Sequence, residues 1–251
     1  MVGYAYRVNS DELISILRRG ANDVWQLGLT DNQLSQFARY AEILVDWNAN
    51  RMNLTRLTST HDVAVKHFLD SLALLKAIDI PSGARLIDIG TGAGLPGIAV
   101  KIARPDVDVT LLDSTAKKLT FCQAVIDDIG LSGISSPSPF QGEGRGEVSL
   151  SGIRTIHGRA EEIGRSTEHA AAYDIVTARA VASLDKLLPW CAPFVSKGGK
   201  IIALKGALAV EELSTARPVA RALRLRLDEP VAVALPEAEE DTIRQIIVAR
   251  S

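Results

Sequence analysis

Apolar residues recur every three or four positions through the first eighty residues, a period that predicts helices. Leu13, Ile14 and Leu17 follow Ser10, a residue type that caps helix starts. Leu34, Phe37, Ala38, Ala41 and Leu44 follow Thr30, and Gln33 completes a capping-box pattern. A third stripe, Val63, Phe68, Leu72 and Leu75, predicts a helix over 61–78. No strand pattern occurs in this region.

From 84 onward the texture changes. Short Ile, Leu and Val runs at 85–89, 108–112, 153–157, 174–178 and 200–204 alternate with helical stretches near 95–104, 115–130, 160–165 and 183–196. Unbroken apolar runs suit strands buried on both faces, so the alternation predicts a parallel sheet between two helical layers. The tail segments "ALRLRLDEPVAVAL" and "TIRQIIVARS" have a connection too short for a crossover helix, and should pair antiparallel at the sheet's edge. The expected organisation is an α/β fold with a mostly parallel, seven-stranded sheet over 81–251, and an N-terminal helical extension, 1–80, packed on it. Segment 134–152, "ISSPSPFQGEGRGEVSLSG", is rich in Ser, Pro and Gly with no period, and reads as an inserted mobile loop.

Charge and composition narrow the function classes. A formal net charge of −2 over 251 residues argues against a broad polycationic surface, so any nucleic-acid contact must be local. No run of eighteen apolar residues and no signal-peptide pattern occur, so a cytoplasmic protein without membrane contact is expected. Cys122, Cys191 and the four scattered histidines have no metal-binding spacing, and no metal is expected. A monomer is expected.

The densest chemical signal is "LIDIGTGAGLPG", residues 86–97. Glycines allow positive φ or backbone contact with a ligand, and a strand feeding such a turn and then a helix is a nucleotide-type site. Gly92, Gly94 and Gly97 satisfy G-x-G-x-x-G, which also fits a dinucleotide enzyme. Asp88 separates the two readings. A carboxylate at the end of the first strand is poorly placed for pyrophosphate but suits the amino group of S-adenosylmethionine, directly or through water. Asp113, at the tip of the second predicted strand, is placed to accept hydrogen bonds from ribose hydroxyls in either class. The competing reading makes Asp88 a turn cap and Asp113 a helix start.

The motifs "DIGTGAGLPG", "LLDS", "RAEE", "ARAVASL" and "ALKG", in this order and with "WNANRMNLT" upstream, resemble the bacterial small-subunit ribosomal RNA methyltransferase G family, also called glucose-inhibited division protein B. The similarity covers roughly 30–250 apart from the insertion. It implies a Rossmann-like class I methyltransferase fold, S-adenosyl-L-methionine as donor, and N7 of one guanine in 16S ribosomal RNA, free or in the small subunit, as acceptor. Asp88, Gly90, Gly92, Gly94, Leu95, Asp113, Ser114, Ala160, Glu161 and Arg179 are then the cofactor-binding candidates, and Asn53, His67 and Lys205 the RNA-facing ones. Met52 departs from the family, which usually has an aromatic before "NLT".

The residues suit that acceptor. Amino acceptors use an Asp/Asn-Pro-Pro-aromatic loop after the fourth strand, where this chain reads "TARAVAS". Cytosine C5 needs a thiolate, and Cys191 lies in an apolar helical stretch that suits a buried role. Ribose hydroxyls want a lysine and an acid. Lys205 ends the fifth strand suitably, but the fourth ends in Arg179. Guanine N7 needs none of these. Arg179, at a strand's carboxyl end, is the first candidate for holding cofactor or base in line, and is assigned as catalytic. Ala160 and Glu161, just past the third strand, fall where the adenine edge should lie. Arg51, Asn53, Arg56, Lys66 and His67 supply local positive charge and polarity if the helical layer folds over the cleft. An NAD(P)-dependent oxidoreductase and a noncatalytic RNA- or ribosome-binding module are the alternatives.

Overall fold

The computed structural model describes residues 7–131, 152–179, 182–206, 209–238 and 242–251. The segment read as an insertion lies outside them except for Gly152.

Helix α1 (Ser10–Leu17) runs directly into a π-helical stretch, Arg18–Val24. Its cap is Asn9 rather than Ser10. Asn9 accepts from the Glu12 N–H at 3.2 Å, while the Ser10 hydroxyl donates to Glu42 at 2.7 Å. Helix α2 (Asp31–Asn50) starts at the expected capping box: the Gln33 N–H reaches the Thr30 hydroxyl at 3.3 Å and the Thr30 N–H reaches Gln33 Oε1 at 2.8 Å. The third predicted helix is three joined pieces, α3 (Thr60–Asp62), a π-helical Val63–Leu69 and α4 (Asp70–Ala77).

Five parallel strands follow: β1 (Arg85–Ile89), β2 (Asp108–Asp113), β3 (Ile153–His157), β4 (Tyr173–Arg179) and β5 (Val195–Lys205). Between them lie α5 (Gly97–Ala103), α6 (Ala116–Asp128), α7 (Ala160–Ile163) and α8 (Leu184–Cys191). Helix α9 (Ala209–Ala222) was not legible as a helix, since Pro218 stands in its interior; Leu213, Ala216 and Ala220 bury it against the sheet. The described sheet has eight strands rather than seven, because the apolar tail run divides into β6 (Arg226–Leu227) and β7 (Val231–Ala234) around Pro230, which has no N–H to donate. Both pair antiparallel with β8 (Ile243–Arg250).

The strand order is β3-β2-β1-β4-β5-β8-β6. Strands are added outward in one direction from β1 to β3 and in the other from β4 onward, and in such sheets ligands sit outside the carboxyl ends at that switch between β1 and β4. On one face Leu86, Leu111, Ile175 and Ile202 share a continuous core with α1, α2, α4, α5 and α6. On the other, Ile87, Leu112, Val176 and Ile201 pack with α8 and α9. The helices preceding β1 therefore join the sheet's own core. Phe68 is central to that join, with ring centroids 5.0 Å from Phe37 and 5.2 Å from Tyr40. Burying rings of this size contributes about 1.5–3 kcal/mol each.

Helix α2 runs toward the carboxyl edge. At its start Gln33 Nε2 donates to the Ile102 carbonyl, at the end of α5, at 2.6 Å. Further along, the Tyr40 hydroxyl donates to the Ala93 carbonyl in the glycine turn. Trp47 meets the Phe121 ring edge-on at 5.5 Å, near the start of α6.

Candidate functional site

The glycine turn joins the carboxyl end of β1 to α5. Gly90, Gly92 and Gly94 have φ of 68°, 59° and 83°, a region that side-chain-bearing residues adopt at a cost. The turn hangs on the neighbouring strand: Gly90 and Thr91 donate to the Leu112 carbonyl at 2.8 and 3.0 Å, and Gly92 donates to Asp113 Oδ2 at 2.9 Å. A Cβ at Gly92 would have the Gly90 carbonyl at 3.9 Å as its nearest non-adjacent protein atom, so the space beside it is cleft.

Asp88 sits behind this turn, fully buried. Its Oδ2 accepts from the Thr91 hydroxyl at 2.6 Å and from the Gly97 N–H, at the start of α5, at 3.0 Å. It caps turn and helix together through Oδ2, the role the competing reading gave it. Oδ1 is buried without a hydrogen-bond partner among the described residues, as is the Thr177 hydroxyl at the same register on β4. Burial pushes the Asp88 carboxyl up to about 7, against the pull of its two donors.

Asp113 ends β2 with both oxygens engaged, Oδ2 by Gly92 and Oδ1 by the Thr115 N–H at 2.8 Å. Beside it is a pocket of about 200 Å³ whose wall includes Gly90, Asp113, Ser114, Gly158, Ala160, Glu161 and Trp190. The structure thus brings the predicted tips of β1, β2 and β3 together. A larger groove, about 910 Å³, runs along α2 and α6 away from this point. There Arg39 is paired with both Glu42 and Asp128.

Arg179, at the end of β4, turns toward the helical layer. Its Nη1 lies 3.1 Å from Asp70 Oδ2 and 3.3 Å from each of the Lys66 and His67 carbonyl oxygens. Arg244, on β8, donates to the other Asp70 oxygen. The side chains of Asp70, Arg179 and Arg244 are 7%, 16% and 24% exposed, so two cations share one carboxylate in a half-closed site. Among the described residues that ion-pair cluster holds two cations on one carboxylate, so an anionic group beside it would be favoured.

The sequence matches the family described as rRNA small subunit methyltransferase G over residues 33–136 and 143–236. It is 38% identical over 225 residues to the ribosomal RNA small subunit methyltransferase G of Alkaliphilus oremlandii, covering 90% of this chain and 85% of that one. The enzyme of the same name from Lachnoclostridium phytofermentans is 40% identical, covering 85% and 80%. The chain belongs to the rRNA small subunit methyltransferase G family. Solved structures support the fold: TrmN from Thermus thermophilus superposes with a TM-score of 0.50 at 18% identity over 72% of this chain and 48% of that one. A predicted O-methyltransferase from Agrobacterium tumefaciens gives 0.50 at 17% identity, over 72% and 79%.

In this methyltransferase several predicted residues lie in settings that the sequence did not reveal. Leu95 is buried, and reaches the turn through its N–H on the Thr91 carbonyl at 3.0 Å. His67 is 8% exposed, with Nε2 at 2.9 Å from the Thr55 hydroxyl. Burial, reinforced by the Arg179 charge, brings its pKa down to about 4, so the ring is neutral. Lys205 is closed in an ion pair, Nζ to Glu212 at 2.9 Å, and also donates to the Ala182 carbonyl. Asn53 is exposed on the loop after α2, and Ser114 lies on the pocket wall. Asp70, Arg244, Tyr40 and Trp190 escaped sequence reasoning. The one available signal was an acid, Asp70, inside the apolar run "FLDSLALL".

Asp88 and His67 titrate with opposite effects on stability. The folded chain holds a proton on Asp88 that the unfolded chain has released, so this contribution is full below about pH 4 and is lost as pH climbs to about 7. The folded chain refuses a proton on His67 that the unfolded chain takes up, so that contribution is full above about pH 6.5 and is lost as pH falls to about 4. Asp88→Asn removes the first slope and keeps an acceptor for Thr91 and Gly97. Its unfolding free energy should therefore rise between pH 4.5 and 7.5 relative to wild type, by at most about 1.4 kcal/mol per pH unit, with the thermal midpoint following. Parallel profiles for the two proteins would contradict the buried proton.

Proposed function

We propose that the chain transfers a methyl group from S-adenosylmethionine to N7 of a guanine in 16S ribosomal RNA, free or within the small subunit, in the bacterial cytoplasm. The cleft fits the donor. Each Asp113 oxygen accepts one backbone N–H and keeps lone-pair capacity for a ribose hydroxyl. The bare backbone at Gly92 admits close approach, and the Ala160–Glu161 edge borders the pocket for the base. The two arginines that share Asp70 among the described residues suit the donor's carboxylate.

The observation that carries the acceptor assignment is the condition of the three groups, Cys191, Lys205 and His67, that the sequence offered as nucleophile, base or RNA contact. Cys191 is fully buried, and burial pushes its thiol well above its ordinary range, which disfavours attack on cytosine C5. Lys205 is held by Glu212, and His67 is neutral and closed on Thr55. Guanine N7 needs none of them. S-adenosylmethionine supplies the methyl group as an activated sulfonium. The N7 lone pair forms the new bond to carbon as the carbon–sulfur pair returns to sulfur, leaving a neutral thioether, a cationic base and no proton to remove. The chain's part is to hold the reactants in line.

Ribosomal RNA from a strain lacking this gene, methylated by the purified protein and mapped by N7-sensitive strand cleavage, tests the reading. One cleavage site that depends on S-adenosylmethionine is expected. The single-turnover rate should stay flat over roughly pH 6 to 9, and Cys191→Ser should retain most activity. A rate rising tenfold per pH unit with an inactive Cys191→Ser protein would move the acceptor to cytosine. Binding of a nicotinamide dinucleotide in place of S-adenosylmethionine by the dialysed protein would return the glycine turn to oxidoreductase chemistry.

A further inference from the structure

Helix α8 buries Leu184, Leu187, Leu188 and Cys191 in the second core, which fixes the helix rigidly against the sheet. Trp190, in its last turn, is half-buried at the edge of that core. The indole also reaches the wall of the pocket at the tips of β2 and β3, opposite residues that come from different strands. Among the residues lining that pocket it is the one aromatic ring, and the remainder are small residues, backbone and the polar Asp113, Ser114, Arg159 and Glu161. The apolar Ile89 and Leu112 line the pocket as well.

At about 200 Å³ the pocket is smaller than the roughly 300–1,000 Å³ of sites that enclose a whole drug-sized ligand, and it suits one planar ring system. A lining that combines apolar residues, one aromatic ring and polar groups matches a purine, whose faces are apolar and whose edges hydrogen-bond. An indole on a rigid helix orders few degrees of freedom when it receives such a ring. We infer that Trp190 is a cofactor-binding residue that forms the aromatic wall of the adenine subsite. The inference rests on the reading that this cleft takes S-adenosylmethionine. It assigns a base-binding role to the far end of a helix whose first residue, Leu184, closes the "ARAVASL" motif.

Trp25 is in the helical-layer core and Trp47 packs on Phe121, so neither lines the pocket and a fluorescence change there reports on Trp190. Purified protein is titrated with S-adenosylhomocysteine by tryptophan fluorescence and, in parallel, by calorimetry. Wild type should show quenching that saturates with the calorimetric affinity, and adenosine alone should quench while methionine does not. Trp190→Phe should keep affinity within a few-fold and lose the quench. Trp190→Leu should weaken binding by about 10- to 100-fold, the range set by removing an aromatic partner from a nucleobase, with the KM for RNA unchanged. Full quenching in Trp190→Phe, or wild-type affinity in Trp190→Leu, overturns the assignment while leaving the cofactor reading intact. No calorimetric heat with wild type overturns the reading and the assignment together.

Discussion

Arg179→Ala is expected to reduce methyl transfer by about 100-fold or more while the protein remains folded, the cost of letting one reactant drift by about an ångström from alignment. The guanidinium is oriented by three acceptors on Nη1, so it is pre-positioned rather than recruited. Its removal leaves Asp70 paired with Arg244, and the cluster becomes neutral. The loss should therefore fall on the KM for S-adenosylmethionine and on kcat, with the KM for RNA little changed. Asp70→Asn keeps the shape but removes the charge that orients Arg179, and should show the same pattern more weakly. In the double variant the two effects should combine to less than their sum, because both remove one arrangement. An unchanged cofactor KM in folded Arg179→Ala would make the cluster a structural tie alone.

The second large effect separates two glycines of one motif. Asparagine tolerates positive φ better than other residues with side chains, so Gly92→Asn and Gly94→Asn impose similar backbone strain. Their surroundings differ. A Cβ at Gly94 would lie 2.4 Å from Ile98 Cδ1 and 3.0 Å from the Tyr40 hydroxyl oxygen, whereas at Gly92 it enters open cleft. Gly94→Asn should lose about 2–4 kcal/mol of stability in denaturant unfolding, from overpacking added to residual strain. Gly92→Asn should unfold near the wild-type midpoint yet bind S-adenosylhomocysteine at least tenfold more weakly by calorimetry. Equal stability losses in the two variants would show that Gly92 is packed by the fold instead of facing ligand.

The parallel strands were legible because strands buried on both faces must be apolar throughout, and the α2 start because Thr30 and Gln33 cap each other within four residues. Helix α9 was not, since Pro218 interrupts its period and only contact with the sheet decides its conformation. The α1 cap moved by one residue for a tertiary reason: the Asn9 N–H donates to the Thr60 hydroxyl at 3.0 Å, which holds Asn9 in place as the cap. At the site, sequence placed the strand tips well. Spacing told which strand ends in an acid, Asp88, but not that its Oδ2 is held by Thr91 and Gly97 behind the turn. The Asp70–Arg244 pair spans 174 positions, and no local pattern announces such a contact.

Arg179 is positioned by a side chain and two carbonyls that all precede β1. The same sheet grafted onto the leading helices of a distant relative would keep every glycine and strand tip, yet inherit an arginine with nothing to aim it. A single proteolytic nick in the loop between α2 and α3 should likewise loosen the hold on Arg179, although the cut lies far from β4 in the sequence.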